Sequence, residues 1–303
     1  MHFDPSQRAT HQVAHRQAVV EGLRRHGVLD QYPGVVVCWG WRTGAVHRRR
    51  GRDVLVLERG YIGDRFHWSS IGWNGLNGLA TFPDYPSDFG ARFRRLGVPL
   101  QPWRPMGEYV LLVGQVHGDA ALQGRNLTPW YAQTAKAAAA EYGLPVRFRP
   151  HPLEQRRIGV VRRVPGTEQD VGPLAEALAR AAVVVTWNSN TGVDALLAGK
   201  PVVALGDGAM ASPLAARELG GQCDQDREAW AHALACKQWS LEEIRSGEAL
   251  VGVVEDLKDG RYGQGGRDLG SRAEAEAAAG PGRPTRPSAR AEAWRQRHSQ
   301  RGA

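Results

Sequence analysis

Between residues 8 and 27, Val13, Ala18, Val19 and Leu23 recur among arginine, histidine and glutamine at the spacing of one helical face, and Gly27 closes the run. The pattern then changes to unbroken apolar runs. Residues 34–39 (GVVVCW) and 53–61 (DVLVLERGY) read as buried strands closed by glycine, and a short basic stretch between them implies a parallel pair. Residues 66–82 lose the pattern. Their glycine, asparagine and tryptophan content, with two Asn-Gly steps, predicts an unusual loop, and the proline-rich residues 83–107 predict an extended connector.

Regularity returns after it. EYVLLVGQV reads as a strand and TPWYAQTAKAAAAEYG as a helix with Thr128 as cap, Pro129 at its first position and Gly143 as stop. PVRFRPHP (strand), VGPLAEALARA (helix), AVVVTW (strand), SNTGVDALLAG (helix) and KPVVALG (strand) follow, then SPLAARELGG and DREAWAHALACKQW as terminal helices. Strands alternating with helices predict a parallel sheet covered on both faces, hence an α/β protein of two Rossmann-like lobes. The expected limits are 1–104 for the first lobe, 105–262 for the second and 263–303 for a basic low-complexity tail that cannot build a core.

Composition adds bounds. The 42% hydrophobic share of 303 residues fits a folded body of enzyme size, and the net charge of +8 admits polyanionic partners. Three dispersed cysteines suggest neither a disulfide framework nor a zinc site. No apolar run has the roughly 20 residues needed to span a bilayer, and a cytoplasmic protein is expected.

In VVVTWNSNTGVDALLAG a polar insert separates a strand from a helix. Asn188, Ser189, Asn190, Thr191 and Gly192 sit where an open α/β sheet receives ligands, and first-turn N–H groups suit a phosphate. Capping by Asn190 or Thr191, with Asp194 completing a box against Thr191, explains part of the same insert. RPHP places Arg149 and His151 in a rigid cationic corner at another strand end, suited to an anionic leaving group.

Together, RPHP and VVVTWNSNTGVDALLAGKPVVALG resemble the nucleotide-sugar-binding half of GT-B glycosyltransferases, especially those related to bacterial capsule-synthesis sugar transferases. The resemblance covers about residues 145–206. It implies a nucleotide-sugar donor with no cofactor besides it, His151 near the donor phosphate, Ser189, Asn190 and Thr191 on that phosphate, and Asp194, where the family more often has glutamate, near the ribose. The text WGWR, LVLERGYIGDR and SIGWNGLNG resembles, more loosely, phage-encoded proteins of glycosyltransferase type, which implies a phage setting and a hydroxymethylated DNA base as acceptor.

Sugar transfer needs a base for the acceptor hydroxyl. Glu58 and Asp64, at a strand end of the first lobe, qualify by placement; an ion pair with Arg59 is the rival role of Glu58, and a cap or an ion pair with Arg65 that of Asp64. Arg42, Arg65, His67, Trp68, Trp73, Asn74 and Asn77 are expected on the acceptor side, with Trp68 or Trp73 stacking a flat group. The Asp224–Asp226 pair precedes a helix, so metal-independent transfer is expected. Modified DNA is the preferred acceptor; a capsule or surface polysaccharide, or a non-catalytic DNA-binding module on a degenerate transferase fold, are the alternatives.

Overall fold

The structure is a computed structural model that describes residues 1–85, 88, 90–154 and 163–263. Among the described residues the chain forms two compact units, one of 1–98 with 231–263, the other of 99–230. The expected tail lies outside the described residues except at its first position.

In the first unit the elements run β1 (His2–Phe3), α1 (Thr10–Arg25), β2 (Val35–Trp39), α2 (Trp41–Arg49), β3 (Asp53–Arg59), β4 (Ser69–Trp73) and α3 (Ala91–Arg95). β1, β2 and β3 are parallel, as the two apolar runs predicted for β2 and β3; Val36 pairs with Val54 and Trp39 with Leu57. β4 is a correction to the expected loop. It runs antiparallel to β3, with Arg59 opposite Ser69 and Leu55 opposite Trp73. All five of its residues are buried, so the period-2 alternation that advertises a half-exposed strand is missing. The expected connector is likewise interrupted by α3.

The second unit contributes β5 (Tyr109–Val113), α4 (Thr128–Tyr142), β6 (Val146–Arg149), β7 (Glu168–Gln169), α5 (Leu174–Arg180), β8 (Ala181–Thr186), α6 (Thr191–Leu197) and β9 (Val202–Ala204). Its sheet is wholly parallel in the order β7-β6-β5-β8-β9. The chain first builds outward from β5 to β7, then returns to β5's other edge with β8. That reversal makes the carboxyl ends of β5 and β8 a topological switch point, where such sheets open a crevice. β5 and β8 are buried throughout, and each buried valine or leucine stabilises the unit by about 1.5–3 kcal/mol. α4 ends at Gly143 as its sequence predicts, with φ 62°. Its first N–H, that of Thr128, donates to Asn126 Oδ1 (3.0 Å), so Asn126 does the capping expected of Thr128. Residues 212–221 form turns, with no helix over SPLAARELGG.

α7 (Glu228–Ala235) leads back to the first unit, where β10 (Gln238–Trp239), α8 (Leu241–Ser246) and α9 (Val251–Asp259) complete the fold. The expected second lobe 105–262 is therefore too long by this return segment, and the first boundary falls at 98/99. The physical reasons are specific. β10 pairs with β4, and the buried Gln238 side chain accepts from the N–H groups of Tyr61 (2.8 Å) and Ile62 (2.9 Å) and donates to Ile62 O (2.9 Å). Arg92, buried under α8, donates to Glu243 (2.8 Å) and Gln238 O (3.2 Å) with its guanidinium 3.7 Å from the Trp239 ring centroid. Gly22 on α1 lets α8 approach: a Cβ there would lie 2.3 Å from Ile244 O. Among the described residues no helix is long and apolar enough to cross a membrane.

Candidate functional site

The second unit's switch point is built from short loops. β5 runs directly into Gly114 and Gln115. Gly114 lies against the exit of β6, where a Cβ would stand 3.0 Å from Phe148 Cζ and 3.1 Å from Arg149 O. Beyond it is a cavity of about 220 Å³ whose wall includes Gln115, Asn126, Thr128, Tyr131, His151 and Glu154. The amino terminus of the fifteen-residue α4 therefore points its positive dipole end at the same space.

Hydrogen bonds fix this wall. Gln115 N–H donates to the Tyr131 hydroxyl (2.9 Å), and burial pushes Tyr131 up to about 12, so the phenol stays protonated. His117 N–H donates to Glu154 Oε1 (3.0 Å). At His151, Leu153 N–H donates to Nδ1 (3.2 Å), which leaves the proton of the neutral ring on Nε2. Gln115 also spans the switch point. Its Nε2–H donates to Asn188 Oδ1 (2.7 Å), and its Oε1 accepts from Asn188 N–H (3.0 Å).

The expected donor residues divide accordingly. His151 lines the cavity. Asn188 is 5% exposed, and its Nδ2 donates to Ala121 O (2.9 Å) and Asp207 O (2.8 Å), so it ties three loops together. That commits Asn188 to holding the loops. Ser189 accepts from Thr191 N–H and lies 3.3 Å from the Thr191 hydroxyl, which makes Ser189 the residue that closes the first turn of α6. Asn190 precedes that helix without a side-chain cap bond, Gly192 is buried, and Asp194 is half-buried in the first turn. Arg149 is spent elsewhere: Nη1 pairs with the buried carboxylate of Asp170. Lys200, in the Gly-Lys-Pro step, is 2% exposed and donates to Met106 O (3.2 Å); burial lowers its pKa. Gln115 and the start of α4 are the residues sequence reasoning missed, and their only signal is a glycine directly after a buried strand.

In the first unit, Glu58 is half-buried at the carboxyl end of β3, where Oε1 accepts from Trp41 N–H (3.2 Å) at the start of α2. Asp64 is exposed and organises a turn: Oδ1 accepts from Phe66 N–H (2.9 Å), and its carbonyl accepts from His67 and Trp68. The expected ion pair with Arg65 gives way to a bond from Arg65 Nε–H to Gly60 O (2.8 Å). His67 stacks edge-on to Trp68 (4.7 Å) at this end, and Arg42 is exposed on α2.

Three expected acceptor residues are misplaced because β4 is antiparallel. It carries Trp73, Asn74 and Asn77 to the opposite end of the sheet, beside Leu55 and Val54. Trp73 is fully buried and donates from Nε1 to Asp256 Oδ2 (2.9 Å), so it is a core residue and offers no stacking face. Asn74 accepts from Val54 N–H (2.8 Å) and donates to Asp53 and Tyr262 O. Asn77, like Asn74, has a positive φ and opens a short 3-10 turn. At Asp224–Asp226, the Asp224 carboxylate accepts from Asp226 N–H (2.9 Å). Among the described residues no group of three or more histidine, cysteine or acidic side chains is arranged to hold a metal.

Residues 103–213 match the family model described as capsule polysaccharide biosynthesis protein. No curated protein matches the sequence. Among solved structures, the chain is similar to a chain of Thermosulfurimonas dismutans KpsC named as beta Kdo 2,7 transferase (18% identity, TM-score 0.49, 85% of this chain and 98% of that one). It is also similar to a chain of the same organism's KpsC named as beta Kdo 2,4 transferase (18%, 0.47, 68% and 81%), and to the glycosyltransferase SnogD from Streptomyces nogalater (12%, 0.27, 80% and 80%). At these identities and scores no residue role transfers. The resemblance to capsule-synthesis enzymes read from residues 145–206 thus recurs over a longer stretch, and none of the comparisons points to DNA or to a phage.

Proposed function

We propose that the protein is a glycosyltransferase of capsule-synthesis type that takes a nucleotide sugar in its second unit and extends a surface polysaccharide. The observation that carries the reading is the cavity at the switch point of a wholly parallel sheet, walled by His151, Gln115 and the amino terminus of α4 within the stretch that matches the capsule family. At about 220 Å³ it is smaller than the roughly 300–1,000 Å³ of a complete small-molecule pocket, which suits one portion of the donor. A phosphate is that portion: the helix dipole and the Nε2–H of His151 both favour negative charge as the sugar–phosphate bond breaks. Gln115 holds the 187–191 loop beside it.

The hydroxyl of the acceptor must lose a proton as it attacks the anomeric carbon. Glu58 is the better of the two expected carboxylates, since its oxygen is held in place at a strand end while Asp64 is exposed and caps a turn. The donor assignment is tested by calorimetric titration of the full chain with CMP, UDP and GDP. Wild type is expected to bind one of them and His151→Ala to bind it at least tenfold more weakly; equal affinity in wild type and variant would remove the assignment.

A further inference from the structure

Arg59 closes β3 on the side of the sheet covered by α1. Along this strand Leu55 and Leu57 enter the core beneath α1, and Val54 and Val56 face α2. The alternation sends Glu58 toward Trp41 and Arg59 toward Trp39. The Arg59 guanidinium lies 5.4 Å from the Trp39 ring centroid and 4.3 Å from that of Phe66. The buried Arg92 and the half-buried Arg149 hold the carboxylates of Glu243 and Asp170, and the buried Arg227 donates to the carbonyls of Leu196 and Gln101. The Arg59 guanidinium has no hydrogen-bond or ion-pair partner among the described residues; its backbone carbonyl accepts from the Ser70 hydroxyl. Its donors are oriented by two rings and unspent.

Independent features converge on this place. Phe66 is 78% exposed, an apolar ring kept in solvent on top of a cation. His15, on α1, stacks against Trp39 at 4.3 Å. Its Nδ1 is 2.6 Å from His11 O and must donate there, so Nε2 carries the lone pair and accepts the Ser69 hydroxyl at 2.6 Å. Burial, with the neighbouring His11 and Arg59 charges, lowers the His15 pKa, so the ring is neutral. Ser69 pairs with Arg59 across the β3–β4 ladder. A fork of cationic donors, an imidazole–hydroxyl pair and two aromatic rings thus meet at one strand end.

We propose that Arg59, Phe66, Trp39 and His15 form a binding site for a sugar that bears an oxyanion, a carboxylate or a phosphate, and that this sugar is the acceptor's terminal residue. Arg59 takes the oxyanion through paired N–H donors, the rings bound the sugar's faces, and His15, held by His11 O and the buried Ser69 hydroxyl, fixes the Trp39 ring in place. The inference rests on the transferase reading for the ligand's role as acceptor; binding itself does not require it.

The test is titration of the full chain with glucuronate, glucose 6-phosphate and glucose, followed by saturation-transfer NMR. The expected result is binding of at least one anionic sugar, with glucose at least tenfold weaker; the first two arms tell a carboxylate from a phosphate. Arg59→Gln should cost that anion tenfold or more, and Phe66→Ala several-fold. Neither variant should change the melting curve or nucleotide affinity in the second unit. Glucose binding as well as both anions, no binding of either anion, or Arg59→Gln binding like wild type would each overturn the proposal. Loss of nucleotide binding in the wild-type protein would instead strike the donor reading and leave this site standing.

Discussion

Gln115→Ala separates the two functions assigned to the switch point. The substitution removes a bond to Asn188 Oδ1 at 2.7 Å and one from Asn188 N–H at 3.0 Å. Each is worth about 1 kcal/mol net, and a buried group left without its partner costs about 1–3 kcal/mol. Asn188 is 5% exposed, but Gln115 lines an open cavity that lets water reach one of the two orphaned groups. The stability loss is therefore about 2–3 kcal/mol, below the sum of two full penalties. Gln115→Glu is nearly the same size and keeps the acceptor for Asn188 N–H, yet sets a carboxylate oxygen against Asn188 Oδ1. It should be no more stable than the alanine variant. Urea unfolding of both proteins gives the stability, and calorimetry with the nucleotide bound by wild type gives the affinity, expected to fall at least tenfold as the 187–191 loop loses its brace. A loss below about 0.5 kcal/mol with unchanged affinity would show that the Gln115–Asn188 pair neither holds the loop nor shapes the donor site.

Arg92→Leu should cost about 2–4 kcal/mol in urea unfolding, because it strands Glu243 and Gln238 O and removes the cation over Trp239; a cost under 1 kcal/mol would mean that the return segment is held by apolar packing alone. The depressed pKa of His15 means that the folded protein binds fewer protons than the unfolded chain. Its contribution to stability is thus complete above the unfolded value of about 6.5 and is lost as pH falls below it. His15→Gln should flatten that part of the pH–stability curve, and an unchanged slope would assign it to another group.

The strands β2, β3, β5 and β8 were legible in the sequence because each is a compact apolar run with a glycine, proline or polar insert after it, and β6 because Val146 and Phe148 alternate with arginines ahead of a proline. β4 was not, since Ser69, Ser70, Ile71, Gly72 and Trp73 are all buried and show no alternation. The apolar spacing of SPLAARELGG imitates a helix; Leu214, Ala215 and Ala216 are buried from irregular turns, one of which pairs Ala216 with Val203. Of the candidate site, His151 could be found because prolines bracket it. Gln115 and Arg59 could not, for their significance lies in what they face, and one antiparallel strand decides whether Asn74 or Ser69 ends up beside Arg59. Local pattern also says nothing about which unit a late helix joins; Gln238 and Arg92 settle that through contacts more than a hundred positions apart in the chain.

The late return of residues 231–263 to the first unit has a consequence for how the protein is made. Synthesis from the amino terminus delivers every strand of the second sheet before β10, α8 and α9 have emerged, so Leu23, Leu55 and Ile71 wait uncovered while that sheet closes. The unit begun first is finished last, and a nascent chain halted when residue 230 has just cleared the ribosome would present one completed body and one open, aggregation-prone half.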